Sequence, residues 1–340
     1  MQKFTGVNFD RDREAGTVTI TMKSYLTKLA DRRSGEYVLC DFPTAKSKSK
    51  RLEYENMVVE TDESKMVDKT EYMEYVGEVA WPGTMVFVEC AYYCSRLGSF
   101  SNGPNKQHRD AVLMLMGYMI KNMDRGITYG GKLKIPFGLT QYPEYFVESR
   151  GFYAVSDSSW ATRAKPQGGH ALMRANGVVL WSSRGLKIVA DSSAHAETAE
   201  ASRATKSTVF MRMVQDNVKR PVLGPTLLLC DSSACVDMVV KEGSSSKSRH
   251  FERTTIFVKY MVMKLVVACK LISTRMMIAD IFTKATDEQT FTLMRGVLRN
   301  EGEPETPSWL PYSVAMTVQG LAAVASGRRF SWTRSDRHNV

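Results

Sequence analysis

The chain has no long apolar run. Its two most apolar late stretches, Tyr260–Cys269 and Val314–Ala325, are interrupted by Lys264 and Gln319. Both fall short of the roughly 20 apolar residues that cross a bilayer. Met1–Asp10 lacks the apolar core of a secretory signal. The six cysteines, at 40, 90, 94, 230, 235 and 269, show no metal-binding spacing. They read as small core residues of a reducing compartment. These absences argue against a membrane span, a disulfide scaffold and a cysteine-based metal module. The expectation is a soluble, intracellular protein, cytoplasmic or nuclear.

What is present fits two domains. The chain has 340 residues, 43% of them hydrophobic, enough for a sizeable core. The formal net charge is +10. An excess of this size points to a polyanionic partner, most simply nucleic acid, although a merely basic soluble protein shares it.

Periodicity divides the chain. Phe4–Met22 alternates apolar and polar residues around Asp10–Gly16 and predicts a hairpin. Lys23–Asp31 and Lys106–Met123 have helical spacing, and Tyr72–Leu97 reads as two helices broken at Pro82–Gly83. Pro43–Lys69 is lysine-rich with little period and is expected to be an exposed loop; Ile127–Leu133 reads as a short strand. Beyond a linker near Pro136–Glu148 come strands at Tyr153–Ser156, Ala171–Arg174 and Val178–Trp181, the last two joined through Asn176-Gly177. A long helix, Ser193–Asn217, follows the possible caps Ser192 and Ser193. The remaining expectations are a strand at Thr226–Leu229, helices at Ser232–Val240 and Glu252–Val267, a strand at Lys270–Ser273 and a helix starting at Ile278–Lys284. Three antiparallel strands followed by α/β units indicate a mixed sheet covered by helices.

Four acids stand out in this second part. Asp157 ends its first strand and Asp231 its fourth, Glu197 lies in the first turns of the long helix, and Asp280 begins the last one. If strands one and four are neighbours, their ends present two carboxylates side by side, with two more from flanking helices. Such a cluster is costly without a cation, because like charges raise one another's pKa. Hard oxygen ligands suit Mg²⁺, which keeps several waters and favours sites shared with phosphate. Two such ions about 4 Å apart activate water and stabilise a leaving oxygen in phosphodiester hydrolysis. Taken singly, each acid is more readily a helix cap or a solvated strand end; for all four at these positions together, that is the weaker reading.

The residues also carry a resemblance. Ser156-Asp157-Ser158-Ser159-Trp160-Ala161, Trp181-Ser182-Ser183 and Ser192-Ser193-Ala194-His195-Ala196-Glu197 appear in order. Cys230-Asp231-Ser232-Ser233, Lys247-Ser248-Arg249-His250 and Ala279-Asp280-Ile281-Phe282-Thr283-Lys284 follow. Residues 151–299 thus resemble the RNase H domain of copia-type LTR retrotransposon polyproteins. In that family the positions matching Asp157, Glu197, Asp231 and Asp280 bind the catalytic metals. Residues 1–135 resemble the C-terminal part of the same family's reverse transcriptase, through Phe4–Phe9, Lys23-Ser24-Tyr25-Leu26, Tyr75-Val76-Gly77, Ser95-Arg96, His108 and Tyr129-Gly130. There are departures. No adjacent Asp pair occurs, so the polymerase signature is missing. The usual Thr-Arg-Pro-Asp segment is degenerate around Pro82–Val86, Pro166-Gln167 replaces Ser-Thr before Gly168, and Ser232-Ser233 replaces Asn-Gln.

The resemblance implies an α/β (α+β) fold: an RNase H-like mixed β-sheet flanked by helices, preceded by a smaller, mainly helical remnant of the thumb and connection region. The expected division is 1–135, a linker at 136–150, the RNase H-like domain at 151–299 and a poorly ordered tail at 300–340. The implied activity is Mg²⁺-dependent cleavage of the RNA strand of an RNA–DNA hybrid, with two ions (Mn²⁺ as a substitute). The upstream polymerase portion of the polyprotein is the other expected partner, and no DNA synthesis is expected of this chain. The alternative is an inactive nucleic-acid-binding remnant. Lys247, Arg249, His250 and Arg253 are candidates for a phosphate groove, or a solvated basic loop. His195 is either a proton-transfer aid or a surface histidine. Trp160 and Trp181 are expected in packing, with base stacking as the other role for Trp160.

Overall fold

The computed structural model describes residues 2–44, 46–134, 141–142, 145, 149, 151–160, 166–241 and 252–302. Lys247, Arg249, His250, the Arg253 side chain, most of the linker and the tail beyond 302 lie outside the described residues.

The first region builds a small antiparallel sheet in the order β1 (Gln2–Phe4), β2 (Val7–Asp12), β3 (Thr17–Thr21) and β4 (Ile127–Gly130). Asp12 Oδ1 accepts the backbone N–H groups of Glu14 and Ala15 and so closes the β2–β3 turn. Helices α1 (Lys23–Arg32), α2 (Lys48–Glu55), α3 (Lys69–Met85), α4 (Ala91–Gly98) and α5 (Lys106–Lys121) pack around it.

Two elements here correct the sequence reading. The expected loop Pro43–Lys69 contains α2, capped by the Ser47 hydroxyl, which accepts from the Lys50 N–H. Only Tyr54 of this helix is buried, so it has no apolar period to read. The expected break at Pro82–Gly83 is also absent: α3 continues to Met85. A proline inside a helix strips the carbonyl four residues earlier of its partner, and the Tyr25 hydroxyl donates to that orphaned Glu78 carbonyl at 3.0 Å. Gly83 has no Cβ to obstruct Cys94 of α4. The turn comes at Val86 and Phe87, whose N–H groups both donate to the Pro82 carbonyl.

The second sheet has the order β7-β6-β5-β8-β9. Its strands are β5 (Tyr153–Ser159), β6 (Gln167–Arg174), β7 (Gly177–Gly185), β8 (Thr226–Cys230) and β9 (Val267–Leu271). β6 is antiparallel to β5 and β7, whereas β8 runs parallel to both β5 and β9. The helices are α6 (Ser193–Asn217), α7 (Ser233–Val240), α8 (Glu252–Met263) and α9 (Glu288–Arg299). This is the expected mixed β-sheet flanked by helices. Ala175 and Asn176, both at positive φ, make the tight β6–β7 turn.

Several boundaries move. β5 runs on to Ser159, so Asp157 lies inside the strand instead of ending it, β6 starts at Gln167 and β7 reaches Gly185. The helix expected to reach Val267 ends at Met263, and β9 starts at Val267 instead of Lys270. The helix expected from Ile278 is a single 3-10 segment, Ile278–Phe282, separated from α9.

One apolar core runs through both regions, from Leu26, Tyr93 and Tyr118 to Val155, Phe282 and Leu298. A second lies on the side of the sheet covered by α6, α7 and α8, around Ala201, Leu228 and Val258. Polar ties cross between the regions. The Trp181 indole donates to the Gly83 carbonyl at 3.1 Å, and the Tyr129 hydroxyl to the Val178 carbonyl at 2.7 Å. Among the described residues no helix is long and apolar enough to cross a membrane.

Candidate active site

The apolar runs of β5 and β8 place them side by side at the sheet centre. Their parallel ladder spans Tyr153–Val155 and Leu227–Leu229. Asp157 lies just beyond it on β5, and Asp231 is the first residue after β8. Ser232 then caps α7 by accepting from the Cys235 N–H. At α6 the Ser192 hydroxyl accepts from the His195 N–H, which sets the register that turns Glu197 toward β5. The Ser158 N–H donates to Glu197 Oε1 at 3.2 Å.

Asp157, Glu197 and Asp231 each offer a carboxylate oxygen, and these three atoms lie within 4.8 Å of one another. Asp157 and Glu197 are 5% and 6% exposed, and Asp231 is half-buried. Asp280, from the 3-10 segment, stands outside that group. Its Oδ2 is 2.8 Å from Lys284 Nζ. The Thr283 hydroxyl donates to Asp157 Oδ2. Two glycines of β6 permit this approach. Gly169, opposite Asp157, would drive a Cβ into Phe282, and Gly168, opposite Ser158, would drive one into Glu200 of α6.

Burial and mutual repulsion act together here. Burial, then the Asp280 charge, pushes the Asp157 carboxyl up to about 7, against the Thr283 hydrogen bond. Burial, then Asp157 and Asp231, pushes Glu197 up to about 10. Burial also raises Asp280, with Lys284 opposing it. For Lys284, burial pulls the ammonium down, but Asp280, Asp157 and Asp231 outweigh it and the net shift is upward.

Glu197 Oε2 and Asp280 Oδ1 are buried without a hydrogen-bond partner. An unpaired buried acceptor is expensive unless a cation meets it. The donors of the three-acid group are all carboxylate oxygens, a set that fits a hard divalent cation better than a soft one.

The other sequence candidates fall elsewhere. His195 Nδ1 lies 3.0 Å from Asp191 Oδ1. The Trp160 indole donates to the Ala190 carbonyl at 3.1 Å, and Trp181 bridges to the first region as described. Thr283 and Lys284 lie in a sequence motif that by itself assigns them no contact. A buried group one turn beyond Glu197 was not visible in the sequence pattern of the four acids. There Glu200 lies 2.6 Å from His170 Nδ1 and accepts from Arg203 at 2.6 Å, and Arg203 also donates to the Ser182 hydroxyl. This ties α6 to β6 and β7. The one available signal was helical spacing: Glu200 and Arg203 follow Glu197 at three-residue steps.

No protein-family profile matches the chain. A crystal structure of LC11-RNase H1 in complex with RNA/DNA hybrid aligns with 39% of this chain and 93% of its own, at 15% identity and a TM-score of 0.30. The Pol polyprotein of transposon RE1 from Arabidopsis thaliana is 22% identical over 246 residues, covering 69% of this chain and 15% of the relative. The retrovirus-related Pol polyprotein of transposon TNT 1-94 from Nicotiana tabacum is 20% identical over 301 residues, covering 86% of this chain and 21% of the relative. The chain is thus similar, over most of its length, to retrotransposon Pol polyproteins, of which it spans about a fifth or less.

Proposed function

We propose that this chain is the nuclease portion of a retrotransposon polyprotein and hydrolyses the RNA strand of RNA–DNA hybrids with Mg²⁺. The observation that carries this reading is the group Asp157, Glu197 and Asp231, three carboxylates gathered within 4.8 Å with a buried Glu197 oxygen left unpaired. Asp157 and Asp231 would anchor two ions, and Glu197 and Asp280 would complete their ligand sets; Mn²⁺ would substitute. Bound divalent cations supply an activated water and charge stabilisation of the leaving oxygen.

The chain's own residues do the rest. The Thr283 hydroxyl and the Ser158 N–H hold the Asp157 and Glu197 carboxylates in fixed directions. Burial of both acids excludes bulk water, which strengthens their hold on a cation. Half-buried Asp231 leaves the cluster open on one side, where a phosphate would approach. The net charge of +10 favours that polyanion, and Lys247, Arg249, His250 and Arg253 would contact its backbone. In this reading residues 1–135 are the end of the polymerase, its thumb and connection region, and the upstream polymerase portion is a partner.

The test is cleavage of a labelled hybrid by the full chain, in Mg²⁺ and in EDTA, with Asp231→Asn alongside. Wild type should cut only with the cation. The variant is nearly isosteric, and losing a charge-stabilising group commonly costs about 2.7–4 kcal/mol in the barrier, so a drop of at least about a hundredfold is expected. Near wild-type cleavage by a folded Asp231→Asn would sink the metal role. Hybrid binding without cleavage by wild type would favour the inactive remnant instead.

A further inference from the structure

We infer that Lys284 is a built-in counter-ion that competes with the divalent cation for Asp280 and so sets the metal affinity of the site; this rests on the metal reading above. Three acids each place an oxygen within 4.8 Å of the others, and Asp280 borders that group, feeling the charges of Asp157 and Asp231. Asp280 has one oxygen paired with Lys284 Nζ at 2.8 Å and the other buried without a partner. Among the described residues, Lys284 is the one cation ion-paired with any of the four acids. Its ammonium is drawn by Asp157 and Asp231 as well as by Asp280.

The surroundings suit an ammonium that can leave. The Lys284 side chain is 47% exposed, so it can swing into solvent without unpacking the core. Its backbone stays behind. The Lys284 N–H donates to the Asp280 carbonyl at 3.2 Å, and the next N–H, of Ala285, donates to Glu55 Oε1 of α2 at 2.6 Å. A dication drawn to Asp280 meets a unit positive charge already there, and the two repel at short range in a partly dry site. Filling the site therefore requires the ammonium to withdraw. Lys284 makes the metal-free protein tolerable and makes the loaded one harder to reach.

The experiment is calorimetric titration of the full chain with Mg²⁺ alone, in wild type, Lys284→Met and Lys284→Arg, with circular dichroism as the check on folding. Lys284→Met should bind Mg²⁺ more tightly, by at least roughly tenfold, since a unit charge about 4–6 Å from a dication repels it by that much or more even in a water-like dielectric. Lys284→Arg keeps the charge and should stay near wild type. If Lys284→Met unfolds, Lys284→Gln, which keeps a hydrogen-bonding end, should show the same tightening. Equal or weaker Mg²⁺ binding by a folded neutral variant overturns the competition while leaving the metal site intact. Absence of Mg²⁺ binding by wild type overturns the metal reading itself, and this inference with it.

Discussion

Glu89 in the first region and Glu197 in the second are both buried glutamates, yet they are treated oppositely. Glu89 receives two bonds from the Arg299 guanidinium, at 2.7 and 2.8 Å, and one from the Tyr118 hydroxyl at 2.9 Å. Burial pulls the Arg299 pKa down, but Glu89 outweighs it and holds the guanidinium charged. The guanidinium also lies over the Phe87 ring, 4.6 Å from its centroid. Glu197 has a single backbone N–H and an oxygen with nothing against it. Glu200, one turn along the same helix, is closed again by His170 and Arg203. Burial alone therefore does not set how a carboxylate is treated: Glu89 and Glu200 are met by cations of the chain, whereas Glu197 keeps a buried oxygen without a hydrogen-bond partner.

The strongest attack on this contrast is Arg299→Met. Removing one partner of a buried pair leaves an uncompensated charge, so about 3–5 kcal/mol should be lost in urea unfolding. Because Arg299 comes from α9 and Glu89 from the first region, both regions should lose cooperativity together. A loss below about 1 kcal/mol would mean that Glu89 is no more closed than Glu197.

A smaller effect is expected at Gly169→Ala. The new methyl meets Phe282, part of the strap that brings Thr283 and Asp280 to Asp157. Overpacking of this kind commonly costs about 1–3 kcal/mol. Hybrid cleavage should fall further than stability does, because the strap must shift. Unchanged cleavage by the folded variant would show that the strap does not position the acids.

A further test sharpens the contrast through pH. Asp157 moves from 3.8 to about 7 in the fold, and Glu197 from 4.5 to about 10. Acids raised in the folded state bind protons that the unfolded chain has released. Their contribution to stability is fully present below about pH 4 and is lost as pH rises through about 7 for Asp157 and about 10 for Glu197. In EDTA, the melting temperature should therefore fall between about pH 5 and pH 8. Glu197→Gln should flatten that slope, and Mg²⁺ should restore the melting temperature at the upper pH. A melting temperature that rises with pH in EDTA would contradict the cluster's mutual repulsion.

Much of the second region was legible locally. The helix Ser193–Asn217 begins and ends where the cap and the pattern put it. The order of strands and helices followed from short apolar runs and the turn before Gly177, whereas the pairing of β5 with β8 was only a condition of the sequence reading that the sheet supplies. Other elements were hidden for identifiable reasons. Helix α2 buries one residue, so it shows no period. Pro82 reads as a breaker, and only the distant Tyr25 hydroxyl makes its helix tolerable. The Val267 end of β9 looked helical because Val266-Val267-Ala268 fits either period until a neighbouring strand is present.

By itself, the sequence determined most of the segments that alternate with period two or turn with period 3.6, and many of the caps and tight turns that stop them. Such features depend on neighbours a few residues away. Only the tertiary structure decided which acids receive a cation from the chain. Glu89 meets Arg299 across 210 residues, and Asp157 meets Thr283 across 126. A charge is neutralised through space, not along the chain, so the difference between a closed carboxylate and an open one exists only after the two regions have packed into one core.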